Sequence, residues 1–379
     1  MVFDATDFSP NRIEQARRRA AGRYIDLTSS NPTHQGLLFP PEILRRAAAL
    51  YWRTRRYDPN PRGLLPARQA IVADYARRTP PLALSTKAIF LTASTSEAYS
   101  LLFSLLTTPG DNVLGPSVTY PLFQYLAELH HVELRTYDLD ATRNWQIDQP
   151  SLLATADERT RAVLLISPHN PTGMIVGQPV AALNTLGLPL VCDEVFAPFT
   201  VQAATTPPLG VLHPQLPVFH LNGISKMLAL PDLKLGWIAL NDPALHAYAE
   251  RLELINDTFL GCNTLIQTML PTLLAESAPF VRTMTDRVRR NVEHALARFA
   301  TCSRIEATAP DGGYYLFPRI RNCPDDEALV LRLLGAGVLV YPGFFYEHTA
   351  DCRIMLSCLT EPAVFDAGIE RLVNTLQHI

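Results

Sequence analysis

The chain has 379 residues, of which 47% are hydrophobic and 18% charged, and its formal net charge is −3. This length predicts one large or two medium domains, and the near-neutral charge argues against a nucleic-acid surface. No apolar run reaches the about 20 residues of a membrane-spanning helix, and the N-terminus lacks the apolar region of a secretory signal. The six cysteines are sparse and contain no CxxC pair, so neither a disulfide framework nor a metal site is indicated. We therefore expect a soluble, globular, cytoplasmic protein.

Apolar runs typical of strands alternate with helical stretches along the first two thirds of the chain. Seven strand candidates occur, at 87–92, 111–115, 132–137, 161–167, 188–193, 217–222 and 234–240. Several are apolar throughout, as expected for strands that are buried on both faces. Helical patterns lie between them at 95–106, 119–130 and 178–186. The alternation predicts an α/β fold with a mostly parallel seven-stranded sheet between helices.

The remainder of the chain has a different pattern. Residues 242–300 are helical in pattern, and the tail then mixes short strands with helices near 325–335 and 361–377. This mixture is typical of a smaller α+β domain. The first 40 residues are too few to fold alone, so we expect them to pack on the tail or on a partner subunit. The predicted domains are a large one over 41–270 and a small one formed by 1–40 and 271–379.

Hydroxyl side chains follow the first strand candidate. Ser94 and Glu97 have the spacing of a helix capping box, and Thr95 and Ser96 add hydroxyl donors at the same helix start. Free backbone N–H groups at such a turn, together with the helix dipole, are suited to binding phosphate. A well-capped helix without a ligand has the same pattern, so both interpretations stand.

Two polar segments come at the ends of later strand candidates. Asn170-Pro171-Thr172-Gly173 follows the strand at 161–167, and Asp193 ends the strand at 188–193. Open α/β sheets bind their ligands at the carboxyl ends of the strands. A structural turn also explains the first segment, and an N-cap or a salt bridge would satisfy Asp193.

A lysine and an arginine lie in apolar surroundings. Lys226 follows Ser225 among apolar residues, a setting that lowers the pKa of a lysine and suits a Schiff-base nucleophile. The alternative is a lysine whose stem lies along apolar surface while its amine reaches water. Arg353 lies on an otherwise apolar strand, and its guanidinium requires a carboxylate partner. Asp351 or Glu361 can supply that carboxylate internally.

Common nucleotide and hydrolase motifs are missing from the sequence. It contains no P-loop, no complete GxGxxG dinucleotide motif, no HExxH zinc motif and no complete GxSxG elbow. Nucleotide hydrolysis, nicotinamide chemistry, zinc proteolysis and α/β-hydrolase chemistry therefore lack support.

The segments described above, in this order, resemble the class I/II aminotransferases of the fold-type I pyridoxal phosphate enzymes. The resemblance covers nearly the whole chain, and its motifs are SNPT (30–33), the hydroxyl turn, NPTG (170–173), DEVF (193–196), SK…LPxLxLGW (225–237), YPG (341–343) and Arg353. It implies pyridoxal 5'-phosphate as the cofactor, and transfer of the amino group of an α-amino acid to a 2-oxo acid. It also implies a homodimer with shared active sites.

The resemblance assigns a role to each matching residue. Lys226 would form the internal aldimine and shuttle the proton, while Asp193 would pair with the pyridine nitrogen of the cofactor. The remaining cofactor contacts would be Asn170 at the 3-oxygen, Tyr120 on the ring face, Ser94, Thr95, Ser96 and Ser225 at the phosphate, and Tyr57 from the partner subunit. The substrate contacts would be Arg353 and Asn170 at the α-carboxylate, with Asn31 and Thr33 in a covering segment.

Two cofactor positions depart from the family pattern. Phe196 stands where the family usually has a tyrosine that donates a hydrogen bond to the 3-oxygen of the cofactor. Losing a hydrogen bond to an ionised group predicts a raised aldimine pKa. Lys234 stands where an arginine usually binds the phosphate. A lysine keeps the positive charge but lacks the forked guanidinium that donates two hydrogen bonds, which predicts looser cofactor binding. An ordinary surface lysine is the alternative there.

Two other functions remain as alternatives. A carbon–sulfur β-lyase of the same family would use the same cofactor and end in elimination, and the sequence does not separate it from a transaminase. A regulator would use this fold as a sensor behind a DNA-binding module. The residues before position 30 are too few for that module, so we do not expect a regulator.

Overall fold

The computed structural model describes residues 9–378. Within them lie sixteen strands: β1 Ile25–Asp26, β2 Ile89–Thr92, β3 Asn112–Pro116, β4 Glu133–Tyr137, β5 Leu139–Asp140, β6 Gln146–Ile147, β7 Thr160–Ile166, β8 Leu190–Asp193, β9 Val218–Gly223, β10 Gly236–Leu240, β11 Ile305–Glu306, β12 Tyr315–Leu316, β13 Arg319–Ile320, β14 Val338–Leu339, β15 Tyr341–Pro342 and β16 Ile354–Ser357. Residues 1–8 of the predicted small domain, and Ile379, lie outside the described part.

The same residues contain fourteen α-helices. They are α1 Arg12–Ala20, α2 Pro41–Thr54, α3 Leu65–Ala76, α4 Thr95–Leu106, α5 Leu122–Leu129, α6 Gln149–Thr155, α7 Ala181–Leu186, α8 Leu209–Leu212, α9 Ile224–Met227, α10 Asp242–Thr258, α11 Thr264–Glu276, α12 Ala278–Phe299, α13 Asp326–Gly335 and α14 Pro362–Gln377. None of these helices is long and apolar enough to cross a membrane.

The central sheet has seven strands in the order β2-β10-β9-β8-β7-β3-β4. β10 runs antiparallel to both of its neighbours, and every other adjacent pair is parallel. These are the seven strands that the sequence predicts, and the predicted fold class is confirmed. Every residue of β2, β3, β8, β9 and β10 is buried, which explains their continuous apolar character.

Helices cover both faces of this sheet and form two apolar cores. In β10, Trp237 and Ala239 pack into one core, while Ile238 and Leu240 pack into the other. Helices α3, α7 and α11 contribute to the first core, and α4, α5 and α10 contribute to the second. The alternation of side chains along each strand therefore holds both helical layers against the sheet.

The N-terminal segment packs on the C-terminal tail, one of the two packings that the sequence predicts. β1 pairs in parallel with β14, and the Leu27 carbonyl accepts the Ser357 N–H at 2.7 Å. The tail itself holds the antiparallel sheet β12-β16-β15, and α14 buries Phe365, Ile369 and Leu372. The boundaries of the two predicted domains stay a prediction.

Two helices start later than predicted, and proline explains both differences. The helix predicted at 119–130 begins at Leu122, directly after Pro121. The helix predicted at 178–186 begins at Ala181, two residues after Pro179. A residue before proline avoids the helical conformation, which keeps Tyr120 and Gln178 out of these helices. Val180 is extended and forms the N-cap of α7.

Candidate active site

The sheet brings the predicted cofactor residues to one edge. Because β2 and β9 both run antiparallel to β10, the carboxyl ends of β2, β3, β7, β8 and β9 point the same way. The residues at or just beyond these ends are Ser94, Thr95, Ser96, Tyr120, Asn170, Asp193, Ser225 and Lys226. This is the edge at which open α/β sheets bind ligands.

Asp193 is a buried carboxylate at the end of β8. Its Oδ1 accepts the Val195 N–H at 3.1 Å, and its Oδ2 accepts the Tyr99 hydroxyl at 3.4 Å. Burial raises the pKa of Asp193 to about 6, because these two hydrogen bonds offset only part of the desolvation. No salt bridge reaches this carboxylate within residues 9–378. Asp193 therefore fits a ligand that carries a positive charge, such as a protonated ring nitrogen.

Lys226 lies in the short helix α9, directly after β9. Burial lowers the pKa of its amine, and the negative charge of Asp193 opposes that change. The sequence contains three lysines, and the other two, Lys87 and Lys234, are exposed. A lysine with a lowered pKa is more often neutral, as a Schiff-base nucleophile must be. Lys226 is therefore the lysine whose surroundings suit covalent chemistry.

The turn after β2 has the features of a phosphate site. Ser94 caps α4 by accepting the Glu97 N–H at 3.1 Å, as the sequence predicts. The N–H groups of Thr95 and Ser96 donate to no acceptor in the described chain. A Cβ at Gly236 would lie 2.9 Å from the Ser94 carbonyl carbon and 3.1 Å from the Thr95 nitrogen. The glycine therefore lets β10 approach the turn, whose free donors suit a bound anion.

Asn170 has a side-chain amide whose oxygen makes no hydrogen bond within the described residues. Its Oδ1 is buried, and it has no hydrogen-bond partner among the described residues. Of the neighbouring His169 ring, Nδ1 lies 2.8 Å from Thr172 Oγ1, while Nε2 is buried and also has no partner among the described residues. Buried polar atoms in folded proteins nearly always have a partner. The amide of Asn170 therefore fits contact with a ligand, in addition to its place in a turn.

Arg353 is held by the protein on one edge of its guanidinium. Its Nε and Nη2 donate to the two carboxylate oxygens of Asp351, at 2.8 and 3.2 Å, and its Nη1 donates to the Phe317 carbonyl at 3.1 Å. The guanidinium carbon also lies 4.6 Å from the ring centroid of Trp145. Of the two internal partners that the sequence allows, Asp351 is the one observed, and Glu361 instead caps α14.

The outer edge of this guanidinium is available to a substrate. Nη1 and Nη2 each keep an N–H group that donates to no acceptor in residues 9–378. A cavity of about 350 Å³ adjoins Arg353, and its lining includes Trp145, Tyr315 and Thr172. Thr172 belongs to the segment that carries Asn170, so this segment and Arg353 line the same cavity. The arrangement suits a carboxylate held by two parallel hydrogen bonds.

The two positions that depart from the family pattern lie in different surroundings. Phe196 is buried, and its ring packs edge-on against Tyr314 at 4.8 Å and Tyr315 at 5.7 Å between centroids. Lys234 is exposed just before β10, at the same edge of the sheet as the Ser94 turn. The roles of Phe196 and Lys234 toward a cofactor stay predictions.

Four other predicted residues are placed without a ligand contact. Tyr120 is 48% exposed and Tyr57 is 73% exposed. Asn31 Oδ1 accepts the N–H and the hydroxyl of Thr33, at 3.1 and 2.7 Å, and so caps a short 3₁₀ helix. This cap explains the Asn31–Thr33 pair structurally. The cofactor and substrate roles of these four residues stay predictions.

Sequence reasoning missed a buried ionic network behind Asp193. Glu194 is 1% exposed, and it accepts hydrogen bonds from Arg78 at 2.5 Å, His220 Nδ1 at 2.6 Å and the Tyr75 hydroxyl at 3.1 Å. Burial alone would raise the pKa of Glu194, but Arg78 and His220 outweigh it and lower the pKa to about 2. The network joins α3, β8 and β9, so it fixes the end of the strand that carries Asp193.

The sequence analysis also did not predict the contacts of Trp145 and Tyr99, because each contacts a residue that is distant in the chain. Trp145 stacks on Arg353, and Tyr99 donates to Asp193. Neither belongs to a short motif, so the sequence held no local signal for either contact. The charged pair Asp193-Glu194 at the end of an apolar strand was the one signal that pointed to the ionic network.

The chain matches the family model described as aminotransferase class I and II over residues 23–372. It belongs to that family. It is 32% identical over 219 residues to nicotianamine aminotransferase 1 of Oryza sativa subsp. japonica, a match that covers 55% of this chain and 44% of the rice protein. The matched region thus spans less than half of that relative.

Two further similarities cover more of the chain. The S-alkyl-thiohydroximate lyase SUR1 of Arabidopsis thaliana is 33% identical over 331 residues, a match that covers 82% of this chain and 70% of that protein. A solved structure of an aminotransferase from Escherichia coli superimposes with a TM-score of 0.88 at 23% identity, covering 99% of this chain and 96% of the other. The fold is therefore that of the fold-type I aminotransferases.

Proposed function

We propose that this chain is an aminotransferase that moves the amino group of an α-amino acid to a 2-oxo acid, with pyridoxal 5'-phosphate as its cofactor. Enzymes of this family generally use that cofactor. One observation carries the proposal: the buried carboxylate of Asp193, the half-buried amine of Lys226 and the free N–H groups after Ser94 meet at one edge of the sheet.

These residues match the chemical groups of the cofactor. Lys226 would bind it covalently, Asp193 would hold a proton on its ring nitrogen, and the turn at 94–96 would bind its phosphate. When bound, the cofactor supplies an electron sink for negative charge at the substrate α-carbon. Once the amino group of the substrate has displaced its amine from the cofactor, Lys226 would take the proton from that carbon and return it. Burial lowers the pKa of Lys226, which increases the share of neutral amine that can accept a proton.

Arg353 would bind the α-carboxylate of the substrate through the free edge of its guanidinium. Asp351 binds the other edge of this guanidinium and Trp145 packs on one of its faces. The guanidinium is therefore oriented before the substrate arrives. An α-amino acid and a 2-oxo acid both carry a carboxylate at C1. The same arginine can therefore orient the amino donor in one half-reaction and the amino acceptor in the other.

We also propose a homodimer in which Tyr57 reaches the phosphate site of the neighbouring subunit. The support is a set of exposed apolar and aromatic side chains, Trp52, Tyr57, Phe259 and Leu260, each more than half exposed in the single chain. Exposed apolar side chains of this size favour burial against a partner. A cytoplasmic setting, where thiols stay reduced, fits the six free cysteines.

A carbon–sulfur β-lyase is the second candidate, and the similarity to the Arabidopsis lyase favours it. A product assay separates the two functions. We expect amino donors to be consumed only when 2-oxoglutarate is added, with glutamate formed in equal amount. Release of pyruvate and ammonia from cysteine conjugates without any acceptor would support the lyase and contradict transamination.

A further inference from the structure

Two cysteines from separate segments come into contact beside Arg353. Arg319 and Arg353 form an antiparallel bridge, and the Ile320 N–H donates to the Cys352 carbonyl at 2.8 Å. This pairing brings Cys323 next to Cys352, 29 residues later in the chain, with their sulfurs 2.7 Å apart. Both cysteines are free thiols.

The two thiols differ in their access to solvent. Cys352 is 9% exposed, whereas Cys323 is partly exposed. Of the other four cysteines, Cys192, Cys302 and Cys358 are buried, and Cys262 is partly exposed. No other pair of sulfurs in the described chain is in contact. Cys323 is thus the thiol of this pair that a small molecule can reach first.

Cys352 also occupies a special place in the chain. It lies between Asp351 and Arg353, and β16 begins one residue after that arginine. A covalent bond from Cys352 to Cys323 would link the segment that carries Asp351 and Arg353 to the loop before α13.

We propose that Cys323 and Cys352 form a reversible disulfide by exchange with a small-molecule disulfide such as glutathione disulfide. The Cys323 thiolate attacks one glutathione sulfur, and the first glutathione leaves as a thiolate that takes up the proton lost by Cys323. The Cys352 thiolate then attacks the mixed disulfide, and the second glutathione leaves with the proton lost by Cys352. Two protein thiols are thereby oxidised and one glutathione disulfide is reduced to two thiols.

Peptide mapping of the complete protein tests the bond directly. The holoenzyme is incubated with glutathione disulfide, free thiols are blocked at low pH, and the protein is digested with trypsin without reductant. We expect a linked pair of the peptides 322–332 and 333–353, each of which contains one cysteine, with a mass two hydrogens below their sum. The pair disappears after treatment with dithiothreitol. Glutathione that remains on Cys323 without any linked pair would overturn the proposal.

Thermal unfolding gives a second and independent readout. Oxidation should raise the unfolding temperature by about 4 °C, the shift implied by closing a loop of about 30 residues in a chain of this size. The Cys323→Ser variant should show no shift, whereas Cys262→Ser, which removes the other partly exposed thiol, should behave as the parent protein. An equal shift in the Cys323→Ser variant, or none in the parent, would contradict the proposed pairing.

Discussion

Asp351 occupies one edge of the Arg353 guanidinium, and the other edge is the one that we propose binds a substrate carboxylate. Replacing Asp351 by asparagine removes a charge-assisted pair and frees the fork to rotate. We expect the KM for the amino donor to rise about tenfold while kcat changes by less than about twofold, since the lost interaction orients the ground state and the transition state alike.

Glu361→Gln is the matched control for this change. Glu361 is the other carboxylate that the sequence allows as a partner of Arg353, but it caps α14 and makes no contact with the guanidinium. Steady-state kinetics with a good amino donor measures both variants. An unchanged or lower KM in Asp351→Asn would show that Asp351 does not position Arg353 for substrate.

In the proposed site, Phe196 stands where the family usually has a tyrosine, whose hydroxyl would stabilise the ionised 3-oxygen of the cofactor. Phe196→Tyr restores this donor, so the pH midpoint of the visible absorbance of the bound cofactor should fall by about 1–2 pH units. Phe199→Tyr is the control, because Phe199 also packs on Tyr314 and would gain the same hydroxyl elsewhere. A midpoint that stays the same in Phe196→Tyr would refute this role for position 196.

At the scale of elements, the turn before α4 depends on close contact with β10. An added Cβ at Gly236 would lie 2.9 Å from the Ser94 carbonyl carbon, so Gly236→Ala must displace the turn. We expect cofactor affinity to fall at least about tenfold, because the displaced N–H groups lose charge-assisted hydrogen bonds to the phosphate.

Gly177→Ala is the control for the Gly236 variant, since a Cβ at Gly177 meets nothing within 4 Å. Absorbance titration of the apoenzyme with the cofactor measures affinity, and far-ultraviolet circular dichroism checks that both variants fold. Equal affinity in the two variants would mean that the turn at 94–96 does not bind the phosphate.

The elements of the sheet were predictable because burial acts on each strand locally. A strand covered on both faces, such as β8 or β9, must be apolar along its length, and this pattern is visible in a short window. The starts of α5 and α7 were less accurate, since prolines delay them. In the central sheet, β10 alone runs antiparallel to its neighbours, yet it is as apolar as the parallel strands, so its direction had no sequence signal.

The functional contacts also differ in whether a short stretch of sequence could predict them. Lys226, Asp193 and the Ser94 turn lie in short motifs at strand ends, and the sheet topology brings them to one edge. The stacking of Trp145 on Arg353, the network around Glu194 and the contact of Cys323 with Cys352 each join residues that are distant in the chain. Only the folded structure brings such pairs together, so the sequence alone did not predict them.

At the scale of the whole molecule, the Glu194 network links the stability of the protein to pH. The pKa of Glu194 is lowered to about 2 from an ordinary 4.5. A lowered carboxyl pKa stabilises the fold above about pH 4.5, and this contribution is lost as the pH falls towards 2. We expect Glu194→Gln to lower the free energy of unfolding at pH 7 by about 3 kcal/mol, since Arg78 is left buried without its counter-charge.

Urea unfolding across the pH range tests this prediction. The Glu194→Gln variant should also lose less stability than the parent protein between pH 4.5 and 2. Glu276→Gln breaks an exposed pair with Arg46 and should cost less than about 1 kcal/mol. Equal losses in the two variants would show that the buried network does not stabilise the fold.

The most direct test of the whole account is to reduce the cofactor-loaded protein with borohydride and to locate the label by protease digestion and mass spectrometry. The sequence contains three lysines, which makes the result unambiguous. We expect the pyridoxyl group on Lys226, and no label in Lys226→Ala. A label on Lys87 or Lys234, or none on the parent protein, would contradict the assignment of Lys226 and of the site built around it.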